Sequence, residues 1–263
     1  MLNKRIWSAI AGIIILILFL YSGSVPFYFF ISGLIIIAMY EYNRLIPEKI
    51  RINSFIMIIF ALSITAYNYF LNLPGEFIYL IIIIVLILYF LYKQGYNNIS
   101  YSMGIYIMGL LYISGGFSYF IFLRDYPGEF LFEQGALWLV LISTWAADTG
   151  AYFSGKYLGR KKLAANISPN KTVIGAVGGT LLTILVVTLI TFLNGIFSYE
   201  WVIYGILISF LSIIGDLFES SLKRNAGVKD SGKIMPGHGG ILDRFDSLLL
   251  TVPFTYYFLL LFI

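Results

Sequence analysis

Ile81 to Leu88 reads IIIIVLIL, eight aliphatic residues with no polar interruption. A membrane barrel strand alternates apolar and polar side chains with period two, so this run reads as a helix. Its apolar character extends from Phe77 to Tyr92. Eight comparable segments flank it: Ile6–Tyr21, Val25–Tyr42, Ile52–Leu71, Tyr101–Leu123, Ala136–Phe153, Val173–Leu193, Trp201–Leu222 and Ile241–Ile263. Each is long enough, or nearly so, to cross a hydrocarbon core as a helix. The expected fold is an all-α polytopic membrane protein of about nine transmembrane helices. The sequence reads as a single membrane domain over residues 1–263, with helices 1–5 in residues 1–123. Residues 136–263 supply helices 6–9, with cytosolic loops at 154–172 and 223–240.

Composition agrees. Of 263 residues 60% are hydrophobic and only 11% charged, which falls outside the soluble globular range. Mean hydropathy is +0.89. The absence of cysteine excludes disulfides and thiolate metal sites. Lys4 and Arg5 ahead of an apolar run resemble a signal peptide, but the run is long and many spans follow. An uncleaved first helix is therefore expected.

Loop charges set the orientation. Basic residues precede helix 1 (Lys4, Arg5) and follow helices 2 (Arg44, Lys49, Arg51), 4 (Lys93), 6 (Lys156, Arg160, Lys161, Lys162, Lys171) and 8 (Lys223, Arg224, Lys229, Lys233). The opposite loops hold Glu76, Asp125, Glu129, Glu133 and Glu200, with Arg124 as their only basic residue. This alternation predicts a cytoplasmic N-terminus, nine spans and an external C-terminus. The expected location is the plasma (inner) membrane of a prokaryote.

Six acids stand in or beside these segments: Glu41, Asp148, Asp216, Glu219, Asp243 and Asp246. An aspartate at mid-membrane costs roughly 2.5 to 3.5 kcal/mol on insertion scales, so several uncompensated would cost on the order of 10 kcal/mol. They must lie near a membrane face, line a wet cavity or be neutralised by a cation. By the predicted topology Asp148, Asp216, Glu219, Asp243 and Asp246 all converge on the cytosolic leaflet. Asp243 and Asp246 are i, i+3 and share a helix face, while Asp216, Ser220 and Lys223 form one stripe at i, i+4, i+7. Short carboxylates on neighbouring helices suit a hard divalent cation; with one histidine and no cysteine, zinc does not fit. Structural ion pairs with Lys223, Arg224 and Arg244 are the competing reading.

Pro236-Gly237-His238-Gly239-Gly240 precedes helix 9 directly. Glycines let main-chain N–H groups approach a ligand and a helix N-terminus favours anions, so this turn, flanked by Lys229 and Lys233, reads as a phosphate cradle. His238, between glycines, reads as a ligand contact. Ser168-Pro169-Asn170-Lys171-Thr172 ahead of helix 7 offers hydroxyls, an ammonium and a helix N-terminus, again suited to phosphate. Arg160, Lys161 and Lys162 are expected to set topology or face lipid. Gly175, Gly178 and Gly179 predict close helix packing, within one chain or between chains; a homodimer is one arrangement they allow.

A spaced pattern ties these residues together. It contains Ser221, then Lys223-Arg224, four residues, Lys229-Asp230, and finally His238-Gly239-Gly240-x-x-Asp243-Arg244-x-Asp246. It resembles the C-terminal signature of the phosphatidate cytidylyltransferase (CDP-diacylglycerol synthase) family. Ala147 to Tyr152, including Asp148, and Ser168 to Thr172 also look like family elements, so the likeness covers Asp148 to Asp246. Met235 and Ile174 depart from it, Ile174 standing where the family has a glutamate. The resemblance implies transfer of a cytidylyl group from CTP to phosphatidic acid with Mg²⁺, one cation or two, in phospholipid biosynthesis at the cytosolic face of the lipid bilayer and with no nucleic-acid partner. Asp216, Asp243 and Asp246 would hold metal, with Lys223 and Arg224 as further catalytic groups. Asp148, Ser168, Lys171, Thr172, Ser220, Ser221, Lys229, His238, Gly239, Gly240 and Arg244 would contact substrate. The rival readings are another CTP-dependent lipid or polyprenol phosphate enzyme, an ion-coupled transporter, and an inactive relative, the last favoured only by Ile174.

Overall fold

The computed structural model describes residues 2–70, 76–94, 98–128, 134–235, 237 and 239–262. It is predominantly helical, and each apolar segment contains helix. The helices are α1 (Leu2–Tyr21), α2 (Ser24–Leu45), α3 (Ser54–Phe70), α4 (Glu76–Gln94), α5 (Ile99–Leu110), α6 (Gly116–Arg124), α7 (Gly135–Leu158), α8 (Val173–Leu193), α9 (Glu200–Asn225), α10 (Leu242–Phe245) and α11 (Leu248–Phe262). A five-residue π turn at Leu111–Gly115 joins α5 to α6. Among the described residues, four helical stretches are long and apolar enough to cross a membrane: Ser24–Leu45, Ile99–Arg124, Val173–Leu193 and Glu200–Asn225. Shorter apolar helices lie at Ile10–Tyr21, Ser54–Phe70, Ile78–Lys93 and Leu248–Phe262. This is an all-α membrane protein.

The chain divides into two compact units. The first comprises residues 1–121 and 230–242. Its core is the face of α2 that buries Phe27, Ile31, Ile35, Ala38, Met39 and Tyr42, packed on α3. Several polar atoms there find partners inside the protein, which an apolar solvent does not supply. Tyr42 OH donates to Ile105 O at 2.8 Å, and Asn43 Nδ2 donates to Ile52 O at 2.9 Å and Ser54 Oγ at 2.7 Å. Tyr106 OH accepts from Ile52 N at 2.6 Å and donates to Ile50 O at 3.2 Å, which fixes the turn between α2 and α3.

The second unit comprises residues 122–229 and 243–263. Helix α8 shows its logic best. Gly175, Gly179, Thr183, Val187 and Thr191 recur every fourth residue and are buried, whereas Val177, Leu181, Leu185 and Leu189 recur at the same interval and are exposed. Small residues face protein and large ones face outward because lipid solvates leucine well and close contact is what joins the helices. A Cβ on Gly150 of α7 would stand 2.7 Å from Gly178 O, and one on Gly179 would stand 2.7 Å from Ala147 O. The glycines of α8 thus pack against α7 of the same chain. Hydroxyl pairs link the remaining helices: Thr180 with Ser209 at 3.0 Å, Thr144 with Thr251 at 3.3 Å, and Tyr204 with Thr255 at 2.9 Å.

Two expectations are corrected. Residues 154–172 are not all loop, because Lys162–Ala164 (β1) and Ser168–Thr172 (β2) pair as an antiparallel hairpin. The last apolar segment is not one helix from Ile241. Helix α10 ends after one turn at Phe245, and α11 begins at Leu248. The break falls where Ser247 packs on Gly215 of α9, whose Cβ would lie 2.9 Å from Ser247 Cα. Asp243 and Asp246 therefore do not share a face of one continuous helix.

Candidate active site

Within the second unit, three acids and a lysine converge from four elements. Asp148, on α7, accepts a hydrogen bond from Ser212 Oγ of α9 at 3.3 Å. One turn along α9, Asp216 pairs with Lys171 Nζ of β2 at 2.7 Å and accepts from Ser220 Oγ at 3.2 Å. Asp246 sits on the turn before α11 and accepts from Ser247 N at 2.6 Å. Burial pushes the Asp246 carboxyl up to about 7, and the negative charges of Asp216 and Asp148 add to the rise while Lys171 opposes it. Three carboxylates thus share one electrostatic environment with one ammonium among them. A cavity of about 310 Å³ opens here, lined by Asp148, Tyr152, Ser168, Asn170, Lys171, Thr172, Ser212 and Asp216 among others.

Local structure explains the convergence. Thr172 caps α8, its Oγ1 accepting from Gly175 N at 3.0 Å, so β2 ends at a helix N-terminus. Gly155, Gly159 and Gly175 all surround that hydroxyl so closely that a Cβ on any of them would crowd it. The strand then carries Ser168, Asn170 and Lys171 along the cavity wall.

A second polar group centres on Lys223. Lys223 Nζ is 2.6 Å from Asp243 Oδ1 and 2.5 Å from Glu219 Oε2, with the three side chains 11%, 4% and 1% exposed. The stripe Asp216, Ser220, Lys223 is thus only half joined: Ser220 meets Asp216, while Lys223 turns to Glu219 and Asp243. Ser221 Oγ donates to Phe218 O at 2.6 Å, and Arg224 Nη1 donates to Val228 O at 2.9 Å, so both serve the end of α9. Lys229 and Arg244 are exposed. Gly239 and Gly240 belong to the first unit, and His238 lies outside the described residues.

Among the described residues no three carboxylate or imidazole groups stand close enough to hold a metal ion together. The donors nevertheless fit a hard cation in kind. Asp216 and Asp246 act on each other electrostatically, whereas Asp243 is engaged by Lys223. Sequence reading passed over Ser212, and named Glu219 and Tyr152 without giving either a place in the site. Ser212 lies one turn before Asp216, Tyr152 one turn after Asp148 and Glu219 one turn before Lys223, so helical spacing from a charged residue was the available signal.

A helical membrane protein with a polar cavity of acids and a lysine suits a phosphate-bearing ligand accompanied by a cation. The chain belongs to the cytidylyltransferase family, which it matches over residues 3–262. It is 44% identical over 168 residues to the phosphatidate cytidylyltransferase of Bacillus subtilis, 61% of this chain and 60% of that protein. Against the phosphatidate cytidylyltransferase of Synechocystis it is 48% identical over 130 residues, covering 47% and 42% of the two chains. The Staphylococcus aureus protein of the same name is 40% identical over 149 residues, covering 56% and 55%. The chain thus spans between two fifths and three fifths of the length of these curated relatives.

Proposed function

We propose that the protein transfers a cytidylyl group from CTP to phosphatidic acid, giving CDP-diacylglycerol and pyrophosphate. The observation that carries this reading is the Lys171–Asp216 pair beside Asp148 and Asp246, at a cavity in a membrane chain whose relatives bear that activity in their names. A phosphate oxygen of the lipid forms the new bond to the α-phosphorus of CTP, and the bond to the bridging oxygen of pyrophosphate breaks. The attacking oxygen is already anionic, so no strong base is required. Positioning and charge neutralisation supply the catalysis.

Asp216 and Asp246 are the oxygen donors we assign to Mg²⁺, with Asp243, which is paired with Lys223, as a further donor; the ion when bound would neutralise the triphosphate. Lys171 orients phosphate from β2, and Ser168 and Thr172 offer hydroxyls beside it. Lys223, Lys229 and Arg244 add positive charge. The reading also takes the N-terminus as cytoplasmic, nine spans across the inner membrane, and the cavity open to the cytosol, following the loop charges.

The test is direct. Purified protein in detergent receives CTP labelled at the α-phosphate, phosphatidic acid and Mg²⁺. Label is expected in a lipid-extractable product that depends on all three, and its absence at every Mg²⁺ concentration would sink the proposal.

A further inference from the structure

In the first unit, the glycine-rich turn that leads toward Asp243 is gripped by a carboxylate from far away in sequence. Glu41 of α2 is 3% exposed. Its Oε1 accepts from Ile241 N at 3.1 Å, and its Oε2 accepts from Leu242 N at 3.0 Å and Ser231 Oγ at 3.2 Å. Two of the glycines answer to this grip. A Cβ on Gly232 would collide with Glu41 Oε1, and one on Gly240 would collide with both carboxylate oxygens and with Ser231 Oγ. On the other side of the turn, Met235 N donates to Gly239 O at 3.0 Å, and Gly237 and Gly239 take φ of 79° and 83°. The N–H groups leading into α10, which sequence reading offered to a phosphate, are held by the protein's own carboxylate.

We infer that Glu41 is a positioning residue for the proposed reaction: from α2 it fixes the main chain at Ile241 and Leu242, the two residues that deliver Asp243. Hydrogen bonds to an ionised acceptor are the strong ones, and their loss leaves two buried N–H groups without an acceptor. The inference rests on the proposed activity only for its kinetic readout.

The experiment uses the full chain in detergent, with Glu41→Gln, Glu41→Asp and Gly240→Ala. Hydrogen–deuterium exchange over residues 231–242 is read beside steady-state kinetics. Glu41→Gln is expected to raise exchange in that segment about tenfold while α8 is unchanged, and to lower kcat about tenfold at saturating substrates with little change in KM. Glu41→Asp keeps the charge and is expected to recover part of kcat. Gly240→Ala keeps the carboxylate but displaces the turn, so it should match Glu41→Gln and stands in for it if that variant does not fold. Raised exchange with unchanged kcat would overturn the assignment, leaving a clamp with no bearing on turnover. Unchanged exchange in both variants would overturn the clamp itself. Exchange raised in every helix of both would overturn it too, by making Glu41 a residue of the whole fold. An inactive wild type would defeat the proposed reaction separately, and the exchange data would still decide the clamp.

Discussion

Lys171 Nζ lies 2.7 Å from Asp216 Oδ2, joining strand β2 to helix α9 at the polar cavity. The two side chains are 23% and 33% exposed, so the pair contributes little to stability. Its significance is electrostatic. An ammonium already oriented in a cavity shielded by apolar helices needs no reorganisation to meet a phosphate, and Asp216 is what holds it there.

Replacing that ammonium is the first prediction. Lys171→Ala is expected to lower kcat/KM for CTP about a hundredfold, the scale for losing one preorganised charge donor. The thermal midpoint in detergent should move little. Full kcat/KM in the variant would remove Lys171 from the site.

Lys223 differs because it is buried with two acids. Lys223→Met leaves Glu219 and Asp243 facing each other without a cation, and removing one partner of a buried pair costs about 3 to 5 kcal/mol. The expected outcome is a marked fall in the thermal midpoint, partly restored by adding Glu219→Gln. A variant as stable as the wild type would show that water or ions reach the pair.

What the sequence could and could not disclose follows from the range of each interaction. Helix α8 runs from Val173 to Leu193 as the apolar run predicts, because a continuous aliphatic segment needs only its own residues to be read. The β1–β2 hairpin was hidden, since its Gly/Ser/Pro/Asn setting is that of a loop and the pairing of Lys162 with Thr172 is what orders it. The break before α11 was hidden as well, because it is set by contact with Gly215 of another helix. Lys171 was legible as the ammonium of a Ser/Pro/Asn/Thr turn ahead of a helix, and Asp148 as charge a bilayer does not tolerate. Glu41 was legible as such a charge, but its partners at Ser231, Ile241 and Leu242 lie 190 residues or more away in the chain.

The glycine contact between α7 and α8 supplies a structural test. A Cβ on Gly150 would meet Gly178 O at 2.7 Å and Leu182 Cβ at 2.9 Å, and a backbone oxygen cannot move aside as a flexible side chain can. Gly150→Val is expected to destabilise by about 1 to 3 kcal/mol through overpacking. The drop should appear in thermal unfolding, with activity falling alongside because Asp148 lies two residues before Gly150 on α7. Unchanged stability would mean that α7 and α8 separate readily.

Asp246→Asn tests the proposed cation most cleanly. The amide keeps the oxygen that accepts from Ser247 N at 2.6 Å, so the turn before α11 should survive, while the charge next to Asp216 is lost. A ligand that binds only the folded state adds about 2.7 kcal/mol of stability at a hundred times its dissociation constant. Titrating Mg²⁺ should therefore raise the thermal midpoint of the wild type and leave that of Asp246→Asn flat, with turnover lost in the variant. The comparison separates binding from catalysis, since stabilisation needs no substrate. If Asp246→Asn keeps both the Mg²⁺ shift and turnover, the cation is held elsewhere; if it keeps the shift and loses turnover, Asp246 acts on the substrate and not on the metal.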